Sequence, residues 1–195
     1  NPTKEWFKIN DTVQGVAKRL TDMKIQCLHW LGEDVDMTVG LGSNRAWLAG
    51  GGNNIPSFEV FTSPNWREVD GWIRFNQPLY EFGSMIEGIE LWFEKGVVVK
   101  SKATKNHKLL QQIIKTKGGD HLGEVSLTDR RLSRITKFMA DTLYDENTGG
   151  EFGNTHMALG TSFHECYKGP APKNAAAWDK LGYNESVVHH DIVWT

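Results

Sequence analysis

The chain has 195 residues, with 22 Lys and Arg against 24 Asp and Glu, for a formal net charge of −2. At 39% hydrophobic and 11% aromatic it can bury a core, which excludes wholesale disorder, and its length suits one domain of the usual roughly 100–200 residues. The charge balance lacks the basic footprint of a nucleic-acid binder, and no run of about 18 apolar residues is present to cross a membrane.

The chain opens on Asn1-Pro2 rather than Met and without a signal-peptide pattern, which suggests a processed product or a piece of a longer protein. Residues 1–30 read as a leading helix: Phe7, Val13, Val16, Leu20, Met23 and Cys27 approximate one helical face, and core packing is the ordinary use of such a stripe. The cysteines, Cys27 and Cys166, are too few for a disulfide framework, and reduced thiols in a cytoplasmic protein are expected. From residue 35 the pattern changes. Val35, Met37, Val39 and Leu41 alternate with Asp36, Thr38 and Gly40, as in a strand, and 45–48 would pair with it across a Gly-Ser-Asn turn. The glycine cluster at 50–54 lacks the spacing of a phosphate loop and reads as a flexible loop.

Strands are expected at 57–62 and 70–76, and a hairpin at 90–94 and 97–100 around Lys95-Gly96. A helix over 104–117 would stop at Gly118-Gly119. After a short strand at 122–127, a second helix is expected over 129–143, with Leu132, Ile135, Phe138, Met139 and Thr142 on one side. A polar loop over 145–155, a short strand at 156–159, a loop over 165–184 and a closing strand at 186–194 complete the reading. Hairpins with a few helices indicate a single α+β domain over 31–195, with a mixed, mostly antiparallel sheet and flanking helices.

The closing strand carries the most informative chemistry. In Val188-His189-His190-Asp191, His189 and Asp191 project to one side and His190 to the other. An imidazole and a carboxylate so placed are a ready pair of metal ligands, or a surface ion pair. Glu59 lies among Phe58, Val60 and Phe61, so it faces solvent or meets a cation. Glu124 poses the same question. The acidic loop Asp145-Glu146-Asn147 could hold His156 by a hydrogen bond behind a metal, or be a solvated loop. Taken together, two Glu, one Asp and two His without Cys suit two divalent ions roughly 3.5–4 Å apart.

Longer motifs give these residues a context. Asn54-Ile55-Pro56-Ser57-Phe58-Glu59-Val60-Phe61-Thr62-Ser63-Pro64 resembles the NIPxxEVFTxP signature of the aminopeptidase T and aminopeptidase S family of metallo-aminopeptidases. In the same order follow Glu87-Gly88-Ile89, Leu122-Gly123-Glu124-Val125, Thr142–Asn147 (TLxDEN), His156–Gly160 (HxALG) and Asn184–Asp191 (NxSxxHxD). The resemblance implies that Glu59, Glu124, His156, His189 and Asp191 hold two divalent ions, zinc or cobalt, with magnesium or manganese as alternatives. It makes Glu124 the favoured bridge and leaves Asp145 and Glu146 behind the ligands.

That resemblance implies an enzyme releasing N-terminal amino acids from peptides with a free N-terminus. The ions would polarise the scissile carbonyl and acidify a bridging water, and Glu124 would shuttle the proton to the leaving amine. The partner expected is a peptide, not nucleic acid or membrane, with a homodimer in the full-length parent. Two departures stand out. Family members are longer, with an α/β domain ahead of the catalytic part, so this chain resembles the C-terminal half alone. Phe163 also occupies the position of a family tyrosine that helps stabilise the tetrahedral intermediate. A phenyl ring donates no hydrogen bond, and losing one oxyanion donor costs on the order of 10²–10³ in rate. Tyr167 is a possible substitute. The competing reading is a metal-binding or interaction fragment without catalysis.

Overall fold

The computed structural model describes residues 1–50 and 55–195; the glycine-loop expectation at 51–54 falls outside the described residues. Helix α1 (Pro2–Asp22) starts at a side-chain cap, with Asn1 accepting from the Thr3 amide at 3.0 Å and proline in the first turn. It packs through Val13 and Ala17. The helix is shorter than the stripe suggested. Lys24 takes a left-handed backbone (φ 51), and Cys27 already lies in strand β1 (Cys27–Gly32).

Two five-stranded antiparallel sheets follow, together with a small hairpin. The first sheet has β1, β2 (Val35–Gly40), β5 (Val69–Arg74), β8 (Glu90–Glu94) and β9 (Val97–Lys102), in that order. The second runs β12 (His189–Trp194), β11 (Asn154–Gly160), β10 (Leu122–Thr128), β4 (Glu59–Thr62), β3 (Leu48–Ala49). The hairpin is β6 (Leu79–Glu81) with β7 (Ser84–Ile86). Both sheets feed one core, in which Val35, Met37, Ile73 and Leu91 of the first meet Val60, Val125, Met157 and Ile192 of the second. The α+β expectation therefore holds, with the antiparallel pairing divided between two sheets.

Several local readings change. Leu48 pairs with Phe61 rather than with β2, so the chain crosses from one sheet to the other between β2 and β3. Helix α2 (His107–Lys115) sits inside its expected range, burying Leu110 and Ile113. The helix expected over 129–143 is absent apart from one turn, α3 (Thr142–Asp145). Side chains there take the backbone groups a helix would need. The Asp145 carboxylate accepts from the amides of Met139 (2.6 Å) and Asp141 (2.9 Å), and Ala140 has φ 57. A short helix, α4 (Ala175–Lys180), interrupts the expected loop over 165–184, capped by Asn174.

Candidate metal centre

The second sheet presents alternate residues to its two faces. Val60, Val125, Met157 and Ile192 turn into the core, so Glu59, Glu124, His156 and the pair His189 and Asp191 emerge together on the other face. The register places Ala158 opposite both Glu124 and Asp191, and Ser126 opposite His156. Four strands thus deliver five side chains to one spot. A bulge makes this possible on β10. Leu122 and Val125, three apart, would face opposite ways in a regular strand, yet both are buried in the core. The extra residue, Gly123, restores the parity and aims Glu124 outward. A Cβ at Gly123 would collide with the backbone oxygens of Gly160 and Thr161.

The two imidazoles are held in matching ways. His156 Nδ1 lies 3.1 Å from the Glu146 carbonyl oxygen and His189 Nδ1 lies 3.0 Å from the Thr161 carbonyl oxygen. A carbonyl only accepts, so each Nδ1 carries a proton, which leaves Nε2 to face the carboxylates and, once its own proton is displaced, to offer a lone pair to an ion. His156 Nε2 is 3.2 Å from Glu59 Oε2, 3.6 Å from Glu124 Oε1 and 3.8 Å from Asp191 Oδ1. His189 Nε2 is 3.0 Å from Glu124 Oε2 and 3.3 Å from Asp191 Oδ1. The two oxygens of Glu124 therefore face different imidazoles.

Three groups of ligand atoms converge here: Glu59, Glu124 and His156; Glu124, His189 and Asp191; and Glu146, His156 and Asp191. The donor set fits divalent cations. It is rich in carboxylates and imidazoles, it contains no thiol, and buried Asp191 Oδ1 has no hydrogen-bond partner among the described residues. Ser126 supports the set by donating to Glu59 Oε2 at 2.9 Å. It lies two residues after Glu124 on the same face, so strand alternation could have found it.

The acidic loop reaches His156 through the Glu146 carbonyl. The Glu146 side chain stands in the cluster itself. Asp145 instead organises the loop through backbone amides and does not reach His156. Asn147, the loop's third member, accepts from the Phe58 amide at 2.6 Å, tying the loop to the start of β4.

The cluster borders a cleft of about 430 Å³ whose wall includes Leu48, Phe61, Phe163 and Glu165. The Phe163 ring meets His189 edge-on, with centroids 4.9 Å apart. Tyr167 is not in the wall; it packs against Trp178 and Tyr183. A larger groove of about 620 Å³, lined by Val13, Leu20, Trp30, Phe58 and Trp194, is apolar and contains none of the cluster.

Without metal, the cluster stores protons. Burial pushes Glu59 up to about 7, against the pull of His156. Burial and neighbouring Asp191 push Glu146 up to about 10. Burial disfavours charge on His156 and His189, yet the neighbouring carboxylates of Glu124, Glu59 and Asp191 carry them up to about 10 and about 11. Burial also opposes ionising Asp191, but His189 holds it down at about 2.

An unfolded chain releases these protons earlier, near pH ~4.3 for Glu and ~6.5 for His. Above those values the folded metal-free chain binds more protons than the unfolded one, so its stability falls as pH rises. Asp191 adds a loss only at the acid end, as pH falls toward about 2. The melting temperature of metal-free protein is therefore expected to fall from pH 6 to pH 9. The gain on adding zinc should widen over the same range, because the metal displaces the protons. A metal-induced gain that is flat with pH would contradict this account.

The chain belongs to the thermophilic metalloprotease (M29) family, whose model matches residues 1–195. It is 32% identical to aminopeptidase T of Thermus thermophilus, over 98% of this chain and 48% of that protein. It is 31% identical to aminopeptidase AmpS of Bacillus subtilis, over 99% of this chain and 49% of that protein. The chain thus spans about half the length of the curated relatives it matches. Among solved structures, wild-type AmpT from Thermus thermophilus superposes with a TM-score of 0.85 at 32% identity, covering 98% of this chain and 49% of that one. A dioxygenase structure from Pseudomonas putida KT2440 shares the fold alone, at TM-score 0.60 and 15% identity over 95% of this chain and 54% of that one.

Proposed function

We propose that this chain carries the catalytic centre of a dinuclear metallo-aminopeptidase that releases N-terminal amino acids from peptides with a free N-terminus. The observation that carries the reading is Glu124, shared by two ligand groups, with one oxygen toward His156 and the other toward His189. Glu59 and His156 would complete one ion's protein ligands, and His189 and Asp191 the other's. Zinc or cobalt suits this mixture of imidazole and carboxylate, and magnesium or manganese the carboxylates alone.

When bound, the two ions supply Lewis acidity toward a carbonyl oxygen and bring the ionisation of water near neutral pH. The residues do the rest. Nδ1–H donation to Thr161 and Glu146 fixes the imidazoles, so that Nε2 needs no reorientation during the reaction. Glu124 would take a proton from the attacking water at a carboxylate oxygen and return it to the leaving amine. The apolar wall of Leu48, Phe61 and Phe163 excludes water from one side of the substrate. No described helix is long and apolar enough to cross a membrane. A cytoplasmic enzyme acting on peptides, homodimeric in its full-length parent, completes the proposal.

A second reading, metal binding without peptidase activity, draws on Phe163, which places a phenyl ring where a donor is wanted. Elemental analysis and hydrolysis of leucyl p-nitroanilide separate the two. About two metal equivalents per chain are expected, lost in the His189→Ala, Asp191→Ala double variant, with hydrolysis by the loaded protein. Failure to bind metal after soaking with zinc or cobalt would sink the dinuclear reading. Bound metal without hydrolysis would favour the second.

A further inference from the structure

The metal cluster accounts for the reacting carbonyl but leaves open what recognises an unblocked N-terminus. At neutral pH that terminus is an ammonium, with a pKa of about 7.7–8.0, and entering a cleft strips its hydration. A carboxylate is therefore wanted on the wall, outside the ligand set. Five ionisable groups line the cleft as cluster members: Glu59, Glu124, Glu146, His189 and Asp191. Among the described residues, the rest of the wall is apolar or glycine, except for Glu165. Its side chain is exposed and has no hydrogen-bond or ion-pair partner among the described residues.

The backbone under Glu165 is held on both sides. It occupies the middle of a single 3-10 turn, His164–Cys166. The His164 ring stacks on Trp178 at 3.7 Å between centroids, and its Nε2 lies 2.6 Å from Glu185 Oε1. On the other side Cys166 is buried, and its carbonyl accepts from the Ala46 amide at 2.8 Å. One residue earlier, the Phe163 amide donates to Ser63 Oγ at 2.8 Å. The turn is thus fixed to the segments flanking β3 and β4, and the Glu165 side chain projects from it unpaired. An unpaired carboxylate on a fixed turn is available to a cation entering the cleft.

We infer that Glu165 binds the α-ammonium of the substrate and so makes the site an exopeptidase rather than a general peptidase. This rests on the aminopeptidase reading above. Glu165 is a specificity residue: it holds the amine and takes no part in proton transfer.

The test uses the metal-loaded chain and two probes that differ only in the amine, leucinol and 4-methylpentan-1-ol, neither of which has an amide to cleave. Binding is measured by calorimetry, so turnover is not needed. The unchanged protein is expected to prefer leucinol by about tenfold, as befits one charge-assisted hydrogen bond. Glu165→Gln should erase that preference and raise the KM for leucyl p-nitroanilide to a similar degree. Metal content should stay the same and kcat should hold within a few-fold. Glu165→Lys should reverse the preference. If the loaded chain hydrolyses the leucyl substrate and E165Q still prefers leucinol, the inference fails while the aminopeptidase reading stands. If the loaded chain neither hydrolyses the substrate nor binds either probe, both fail.

Discussion

Replacing Glu124 with glutamine is expected to lower bound metal from about two equivalents to one or fewer, and to cut hydrolysis of leucyl p-nitroanilide about 10³-fold. The substitution keeps the side-chain volume, so the core beneath is undisturbed. What it removes is the negative charge and one of two equivalent oxygens, an amide having one acceptor oxygen and a donor nitrogen. In the structure those oxygens face different rings, Oε1 toward His156 at 3.6 Å and Oε2 toward His189 at 3.0 Å. An amide can serve one side only. The NH₂ group would then point at an Nε2 lone pair or at an ion, and either ion position loses a ligand. Lewis acidity at two sites is worth several kcal/mol of transition-state stabilisation, which sets the scale of the rate loss. Metal-free E124Q should keep the circular dichroism of the parent. Full metal content in E124Q would remove Glu124 from the bridge and with it the dinuclear arrangement proposed here.

How much of this was legible follows from the range over which each signal acts. Alternation along a strand is local, so the shared face of His189 and Asp191 could be read from four letters, and the structure puts them 3.3 Å apart. The opposite face of the same strand was legible too: His190 turns away and pairs with Glu81 on the β6–β7 hairpin at 2.7 Å. The strand order β12-β11-β10-β4 was not legible. It brings Glu59 and Asp191 together across more than half the chain, and only ordered family motifs hinted at it. The failures were local patterns overridden by polar side chains. Leu132, Ile135, Phe138 and Met139 have helical spacing, but Asp129 and Asp145 accept from backbone amides of the same segment, so the helix does not form. Glu146 reads as a support because it belongs to the acidic loop that precedes His156. In the folded chain its carbonyl does that work, leaving its carboxylate free to join the cluster. The crossing between the sheets was hidden because the two-residue strand β3 is too short to carry a pattern.

Phe163→Tyr is the substitution expected to raise activity rather than lower it. The Phe163 ring stands in the wall of the cleft beside Glu124, His189 and Asp191. It meets the His189 ring at 4.9 Å and 61°, and Phe61 at 5.4 Å and 65°. Its amide is pinned to Ser63 Oγ, so the ring's anchor is already fixed. Adding a hydroxyl changes neither the anchor nor the two ring contacts, and it supplies a donor that the described wall lacks. The nearby tyrosines do not make up for it. Tyr167 packs on Trp178 and Tyr183, while Tyr183 is buried beneath the Arg45 guanidinium, with its hydroxyl unpartnered. A donor aimed at charge that develops on the carbonyl oxygen acts on the transition state more than on bound substrate. The gain should therefore appear as a rise in kcat of about 10²-fold, with KM changed by less than about threefold and metal content unchanged. A lower KM at constant kcat would show the hydroxyl binding ground-state substrate instead. No change at all in a metal-loaded variant would mean that a hydroxyl at this position does not reach the oxyanion. The ions alone would then carry that charge, and the phenylalanine would be no impediment to catalysis.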